Sequence, residues 1–208
     1  MDLNFFDNGY RNKGYGVIAG VDEAGRGPWA GPVVAAAVVL PKDLAIEGLN
    51  DSKKLSPKKR EIIYNQICVG AACAGIGIIE CSVIDNVNIL QATYLAMKKA
   101  VSKLSKTPQI VLVDGSNKIP DLNIKQERVI EGDSKSASIA AASIIAKVTR
   151  DKIMQKMSEK YPQYGFEKHK GYGTRQHHDA LLKFGPCEIH RKSFAPVRKF
   201  IEAIDDKF

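Results

Sequence analysis

Val17-Ile18-Ala19-Gly20-Val21-Asp22-Glu23-Ala24-Gly25-Arg26-Gly27-Pro28 is the stretch on which the reading of this chain turns. An uninterrupted apolar run leads straight into two adjacent acids, and the acids into a glycine- and proline-rich turn that extends to Pro32. The run reads as a buried strand, and two carboxylates at its carboxyl end are unfavourable there without a partner. Immediately after the turn, Val33 to Leu40 is continuously apolar and β-branched until Pro41 ends it, the pattern of a central strand.

Outward from this pair the pattern alternates. Ser56-Pro57 reads as an N-cap followed by proline at the first helical position, opening a helix to about Val69. A strand is expected from Ala71 to Ile79. Leu90, Tyr94, Met97, Val101 and Leu104 recur at intervals of four and three, placing a helix over about Ile84 to Ser105 with one face on the sheet. Short strands follow at Ile110 to Val113 and Arg128 to Ile130. A long helix spans Ser136 to Lys160, with Ala141, Ile144, Ile145 and Val148 inward and Lys147 and Arg150 facing elsewhere. Two more helices are expected near Thr174 to Phe184 and Ala195 to Ile204. Alternating strands and helices define an α/β sheet flanked by helices. With no repeat, low-complexity tract or long linker, residues 1–208 read as one domain, those from about 170 onward as a small helical appendage.

Composition limits the function classes. The chain has 208 residues, 44% of them hydrophobic, enough for a core, and a formal charge of +8. Its basic residues cluster as Lys53-Lys54, Lys58-Lys59-Arg60, Lys168 to Lys170 and Arg191-Lys192, which suits a polyanionic partner or simply a solvated surface. The longest apolar run is far below the ~18 residues of a membrane span, and the first 30 residues, which carry Asp2, Asp7, Asp22 and Glu23 and lack an apolar stretch ending in a small-residue cleavage site, argue against a secretory signal. A cytoplasmic protein is expected. Cys68, Cys73, Cys81 and Cys187 follow no metal-site spacing and read as reduced structural residues. No exposed heptad argues for an oligomer, so a monomer is expected.

Three acidic sites share one context. Asp22-Glu23, Asp114 and Asp133 each stand at or just past the carboxyl end of an expected strand, where α/β sheets collect ligands. If neighbouring strands bring them together, four carboxylates converge, and such a cluster calls for compensating cations, hard divalent ions above all. Each acid alone also has a plainer reading: Asp133 stands just ahead of the long helix and suits its N-cap.

The loops carry cations and glycines. Around Arg26, Gly25 and Gly27 allow close backbone approach to a ligand, or merely a tight turn. Asn50-Asp51-Ser52-Lys53-Lys54-Leu55 is either a phosphate cradle or a solvated basic loop. In Lys168-His169-Lys170-Gly171-Tyr172-Gly173 an aromatic lies between glycines among cations, as in proteins that stack on a base or sugar. His177 and His178, adjacent on a helix, point apart and make a shared metal improbable. His190-Arg191-Lys192-Ser193 is a basic cluster for phosphate or for water. There is no phosphate-binding P-loop and no recognisable nucleophile triad.

Taken in order, Val21 to Pro28, Leu49 to Ser56, Val113-Asp114-Gly115, Gly132-Asp133-Ser134, Ala140 to Asp151, His169-Lys170-Gly171-Tyr172 and His190 to Phe194 resemble the bacterial ribonuclease HII family, a match running from about residue 17 to 200. The resemblance implies a ribonuclease H-like fold: a central mixed sheet flanked by helices, with a small C-terminal helical extension. It implies a metal site of Asp22, Glu23 and Asp114, with Asp133 as fourth carboxylate, holding two Mg²⁺ or Mn²⁺ ions. It makes Gly25, Arg26 and Gly27 the turn whose backbone reads a ribose 2′-hydroxyl, and Tyr172 the ring that stacks at an RNA–DNA junction.

The implied reaction is two-metal hydrolysis of a phosphodiester on the 5′ side of a ribonucleotide, in RNA–DNA hybrids or in duplex DNA, leaving 3′-hydroxyl and 5′-phosphate ends. Lys53, Lys54, Lys147, Lys170 and Arg191 are the expected phosphate contacts, and a replication or repair protein at the C-terminal tail is a possible partner. Two other readings compete: another metal nuclease of similar fold, such as a resolvase or strand transferase, which has no need of the Gly-Arg-Gly turn, and a non-catalytic binding module, whose phosphate the acids would repel.

Overall fold

The computed structural model describes residues 3–205 except 43 and 51. Five strands, β1 (Ile18–Ala24), β2 (Val33–Val39), β3 (Cys73–Ile79), β4 (Ile110–Asp114) and β5 (Lys125–Val129), form one sheet in the order β3-β2-β1-β4-β5. β1 pairs antiparallel with β2, and β2 with β3; β1 pairs parallel with β4, and β4 with β5. The sheet is therefore mixed, and β1 is the seam.

The helices are α1 (Leu3–Arg11), α2 (Pro57–Gly70), α3 (Cys81–Ser102), α4 (Ala137–Lys160), α5 (Phe166–His169), α6 (Arg175–Phe184) and α7 (Ala195–Asp205). Strand alternation divides the core. Ala19 and Val21 of β1, with alternate residues of β2, pack beneath α3, whereas Ala36 and Val38 join α2 and α4 on the other face. Ser56 caps α2 as its sequence predicts, its hydroxyl accepting from the Lys59 N–H.

The first half of α4, Ala137 to Arg150, is buried around nearly its whole circumference, which explains its run of alanines, while Lys152, Gln155, Lys156 and Glu159 face solvent further on. Gly20 lets it approach β1: a methyl there would lie 2.1 Å from the Ser138 carbonyl carbon. Ser136 caps it, accepting from the Ile139 N–H. Asp133 is not that cap but belongs to a 3-10 turn, Gly132–Ser134. The cap region is completed from the other end of the chain, where buried Asp7 of α1 accepts from the Ser136 hydroxyl (2.5 Å) and from the Ser138 N–H (3.0 Å) and hydroxyl (2.8 Å). No sequence motif marked α1.

Two further elements and one side chain depart from the sequence reading. β5 starts at Lys125, ahead of the expected Arg128, because it is an edge strand with largely exposed side chains and has no apolar signature. α3 begins at Cys81 and breaks at Asn88, whose φ is 69°, while its side chain re-caps the helix by accepting from the Leu90 and Gln91 N–H groups. Arg150 is 1% exposed, buried inside the fold, although a charged residue beside an apolar stripe reads in sequence as facing elsewhere.

Candidate active site

The parallel register of β1 and β4 pairs Val21 with Val113, and its next step sets Asp22 beside Asp114. Asp22 leaves β1 on the α4 side, near Ser143. Glu23, by alternation, leaves on the α3 side, where it lines a recess with Asp114, Thr93 and Tyr94. The acids therefore meet past the strand ends. A cleft of ≈ 260 Å³ there is lined by Asp22, Glu23, Arg26, Gly27, Ser52, Lys53, Asp114, Ser143, Lys147 and Tyr172. Asp133 approaches from the turn after β5 and is tied in by the Gly132 N–H, which donates to Asp114 Oδ1 at 2.7 Å.

Burial pushes the Asp22 carboxyl well above the usual carboxylate range, and the charges of Glu23 and Asp114 push it further; the Ser143 hydroxyl pulls it back. Glu23 is raised by burial against the lowering effect of Arg26, whose Nη1 lies 3.3 Å from its Oε1. Asp114 is raised by burial and by Asp133, while the Gly132 N–H lowers it. Lys53 Nζ lies 3.3 Å from Asp133 Oδ2. Two exposed cations thus neutralise part of the cluster.

Among the described residues no three His, Cys, Asp or Glu side chains stand ready-arranged around one ion. The donor set itself fits one: carboxylate oxygens only, mutually repelling, at the mouth of a polar cleft, the chemistry that hard divalent cations satisfy. Asp22, Glu23, Asp114 and Asp133 would hold it, once Glu23 and Asp133 exchange Arg26 and Lys53 for the ion.

Gly25 holds φ at +95°, in the region that favours glycine, and a methyl on it would lie 2.1 Å from Arg150 Nε. Gly27 and Arg26 are exposed at the lip. Tyr172, 45% exposed, lines the same cleft beside Gly27, on which a methyl would lie 3.8 Å from its ring. Lys147 lines the same cleft, with its ammonium 2.8 Å from Asp151. Lys54 is exposed on a 3-10 turn outside the cleft lining. Lys170 is turned back on its own short helix, donating to the Glu167 carbonyl at 2.6 Å. Asp51 of the basic loop lies outside the described residues.

Arg191 requires a correction. It is 0% exposed, and its guanidinium donates to the carbonyls of Gly25 (2.6 Å), Arg26 (2.9 Å) and Gly31 (2.8 Å), so it is no phosphate contact but a buried support of the turn. His190 beside it is equally buried, and the reading of this cluster as facing phosphate or water fails for both.

Sequence reasoning also missed Ser143, hidden in a run of small residues, and a histidine trio. His169 stacks on His177 with ring centroids 4.6 Å apart, and His177 bonds His190 through Nε2. Residues this far apart in sequence leave no local signature. The trio underpins the Tyr172 loop: the Tyr172 N–H donates to the His169 carbonyl, and the Tyr172 carbonyl accepts from His177 Nδ1. Cys81, Cys68, Cys73 and Cys187 form no disulfide.

A mixed five-stranded sheet flanked by helices, with acids at adjoining strand ends, defines an α/β protein of the ribonuclease H-like fold. Residues 19–197 match the family model described as Ribonuclease HII, and the chain belongs to that family. It is 55% identical over 196 residues to a ribonuclease HII of Endomicrobium trichonymphae, covering 94% of this chain and 93% of the relative. Among solved structures it is similar to the ribonuclease H2 of Pyrococcus horikoshii (TM-score 0.75, 28% identity, covering 91% of this chain and 99% of that one). It also resembles the RNase HII of Archaeoglobus fulgidus, solved in complex with PCNA (TM-score 0.68, 25% identity, 84% and 93% covered). The chain is accordingly an endonuclease that degrades RNA in RNA–DNA hybrids, of a metal-dependent family.

Proposed function

We propose that this ribonuclease incises duplexes on the 5′ side of a ribonucleotide, both in RNA–DNA hybrids and at ribonucleotides embedded in DNA, leaving 3′-hydroxyl and 5′-phosphate ends. The observation that carries this reading is the cleft that Asp22, Glu23 and Asp114 line together with Gly27 and Tyr172. The acids supply the chemistry, and the turn with the ring beside it supplies the means to select RNA.

Asp22, Glu23, Asp114 and Asp133 would hold two Mg²⁺ or Mn²⁺ ions, which when bound supply an activated water and stabilise the leaving oxygen. The chain's own part is positional. The backbone of the Gly25-Arg26-Gly27 turn, exposed at Arg26 and Gly27, bonds the 2′-hydroxyl, the group that distinguishes RNA from DNA. Tyr172 offers its ring face to the sugar or base at the junction. Lys53, Lys54 and Lys147 attract the phosphate backbone, with Lys170 at the margin, on a protein of net charge +8. Lys53 leaves Asp133 as it takes up phosphate.

The catalytic unit spans the chain, with the helices from about residue 170 as its appendage: Ala30 bridges to His190, and Trp29 donates to the Gly171 carbonyl. It acts as a monomer in the cytoplasm; among the described residues no helix is long and apolar enough to cross a membrane. A replication clamp is the kind of partner suggested by the Archaeoglobus complex, with the C-terminal tail as its contact, though residues 206–208 lie outside those described.

The test is cleavage of a labelled DNA duplex carrying one ribonucleotide, beside an all-DNA control, with Mg²⁺, Mn²⁺ or chelator, for the native enzyme and Asp22→Asn. One metal-dependent cut 5′ to the ribonucleotide, lost in the variant by on the order of 10³-fold, is expected. Full activity of Asp22→Asn with Mg²⁺ would remove the acidic cluster from the mechanism.

A further inference from the structure

Two arginines lie beneath the turn, and neither belongs to the acidic site. Arg150 of α4 and Arg191 of the segment before α7 are 1% and 0% exposed. Burying two like charges side by side is unfavourable, and burial together with the neighbouring Arg150 lowers the Arg191 pKa to about 10. Their hydrogen-bond partners are main-chain carbonyls rather than carboxylates. Arg191 takes those of Gly25, Arg26 and Gly31, while Arg150 donates from Nε to Pro32 (3.0 Å) and from Nη2 to Ala30 (3.0 Å). The whole of one turn is thereby clamped from within.

The clamp has a directional consequence. In a trans peptide the C=O and N–H point to opposite sides, and every peptide of the described chain is trans. The carbonyl of Gly25 shares its peptide with the N–H of Arg26, and the carbonyl of Arg26 with the N–H of Gly27. Holding both carbonyls inward on one guanidinium turns both N–H groups outward, at residues exposed on the cleft lip. Neither N–H is bonded within the described residues. A charged donor on the carbonyl also polarises the peptide and strengthens its N–H as a donor. The Arg150 guanidinium carbon lies 6.0 Å from the Tyr172 ring centroid, so the same pair also reaches the ring beside the turn.

We propose that Arg191, supported by Arg150, is a positioning residue for RNA selectivity, aiming the Arg26 and Gly27 N–H groups at the ribose 2′-hydroxyl by anchoring the carbonyls of their peptides. The proposal rests on the reading of Gly25 to Gly27 as the 2′-hydroxyl sensor. Lysine at 191 keeps the charge but, as a single point donor, cannot reproduce a planar fork that spans three carbonyls.

The decisive measurement is a ratio of affinities. Dissociation constants for two duplexes of one sequence, with and without a single ribonucleotide, are measured by fluorescence anisotropy with Ca²⁺ in place of Mg²⁺, for the native enzyme, Arg191→Lys and Arg150→Lys. The Kd ratio does not depend on the fraction of folded protein, so a merely structural role leaves it unchanged. In Arg191→Lys the ratio should collapse toward one, with kcat/KM on the ribonucleotide duplex down by about 100-fold and Kd for all-DNA duplex unaltered. A native ratio near one would overturn the sensor reading, and the proposal with it. A native ratio well above one that persists in Arg191→Lys would overturn the proposal alone. If Arg191→Lys does not fold, Arg150→Lys decides by the same ratio, with a smaller drop expected.

Discussion

His190 Nε2 lies 2.9 Å from His177 Nε2, and the backbone around them fixes which one carries the proton. His177 Nδ1 faces the Tyr172 carbonyl at 3.0 Å and so must donate, which leaves its Nε2 as an acceptor. His190 then donates from Nε2 and accepts the Cys187 N–H on Nδ1 at 2.8 Å. Both rings are neutral, and burial pushes the His177 pKa down to about 4 and that of His190 to about 3.

Acid should therefore withdraw the stability that this pair contributes, against the opposite effect of Asp22, Glu23 and Asp114, whose raised carboxyls take up protons more readily in the folded state as pH falls. A histidine whose folded pKa is depressed contributes stability in full above its unfolded value of about 6.5, and that contribution fades as pH falls toward the folded values near 4 and 3. With the three acids neutralised as Asp22→Asn, Glu23→Gln and Asp114→Asn, urea midpoints measured from pH 7.5 to 4.5 at constant m-value should fall steadily below pH 6.5. A midpoint flat across that range would mean that the pair is charged or exposed.

Asp7→Ala should lower stability by about 2–3 kcal/mol, since it leaves two buried hydroxyls and the Ser138 N–H without their shared acceptor. Denaturant unfolding checks this value. The folded variant should still cut, because Asp7 is remote from the cleft lining.

Gly20→Ala places a methyl against the Ser138 backbone, which cannot move without shifting α4 from the sheet. A loss of about 3 kcal/mol or more is expected, read as a fall in Tm and in soluble yield. Tm within a degree or two of the native value would contradict the close approach of α4 and β1.

Lys147→Ala should weaken binding uniformly across sequences and reduce the slope of log Kd against log salt by about one unit. Arg191→Lys should leave that slope unchanged, since its guanidinium is buried on carbonyls. Parallel salt titrations separate the two roles.

The positions of Asp22, Glu23 and Asp114 were legible because a central strand writes its burial into sequence as an unbroken apolar run, and the acids interrupt it at its end. β5 was not, because an edge strand with one buried residue, Val129, carries no such run. Arg191 misled for the opposite reason. Charge in a basic cluster signals exposure, and only tertiary structure shows that five carbonyls from Gly25 to Pro32 take up the donors of Arg191 and Arg150. α1 and its Asp7 were silent because their partner, the start of α4, lies about 130 residues away. The seven blocks of family resemblance supplied roles that periodicity could not, yet the path from Arg191 to the turn lies in none of them taken singly.

The seam at β1 also sets an order of assembly. β1, β2 and β3 form an antiparallel meander from a contiguous stretch of chain, whereas Ile18 meets Ile110 only after 92 intervening steps. Pairings of long range close after local ones. A growing or partly unfolded chain can thus hold the meander, with Asp22 and Glu23 already at its rim, before Asp114 arrives beside them. The four acids can therefore stand together only once the sheet is whole, since Asp22 and Glu23 come with the meander and Asp114 with β4.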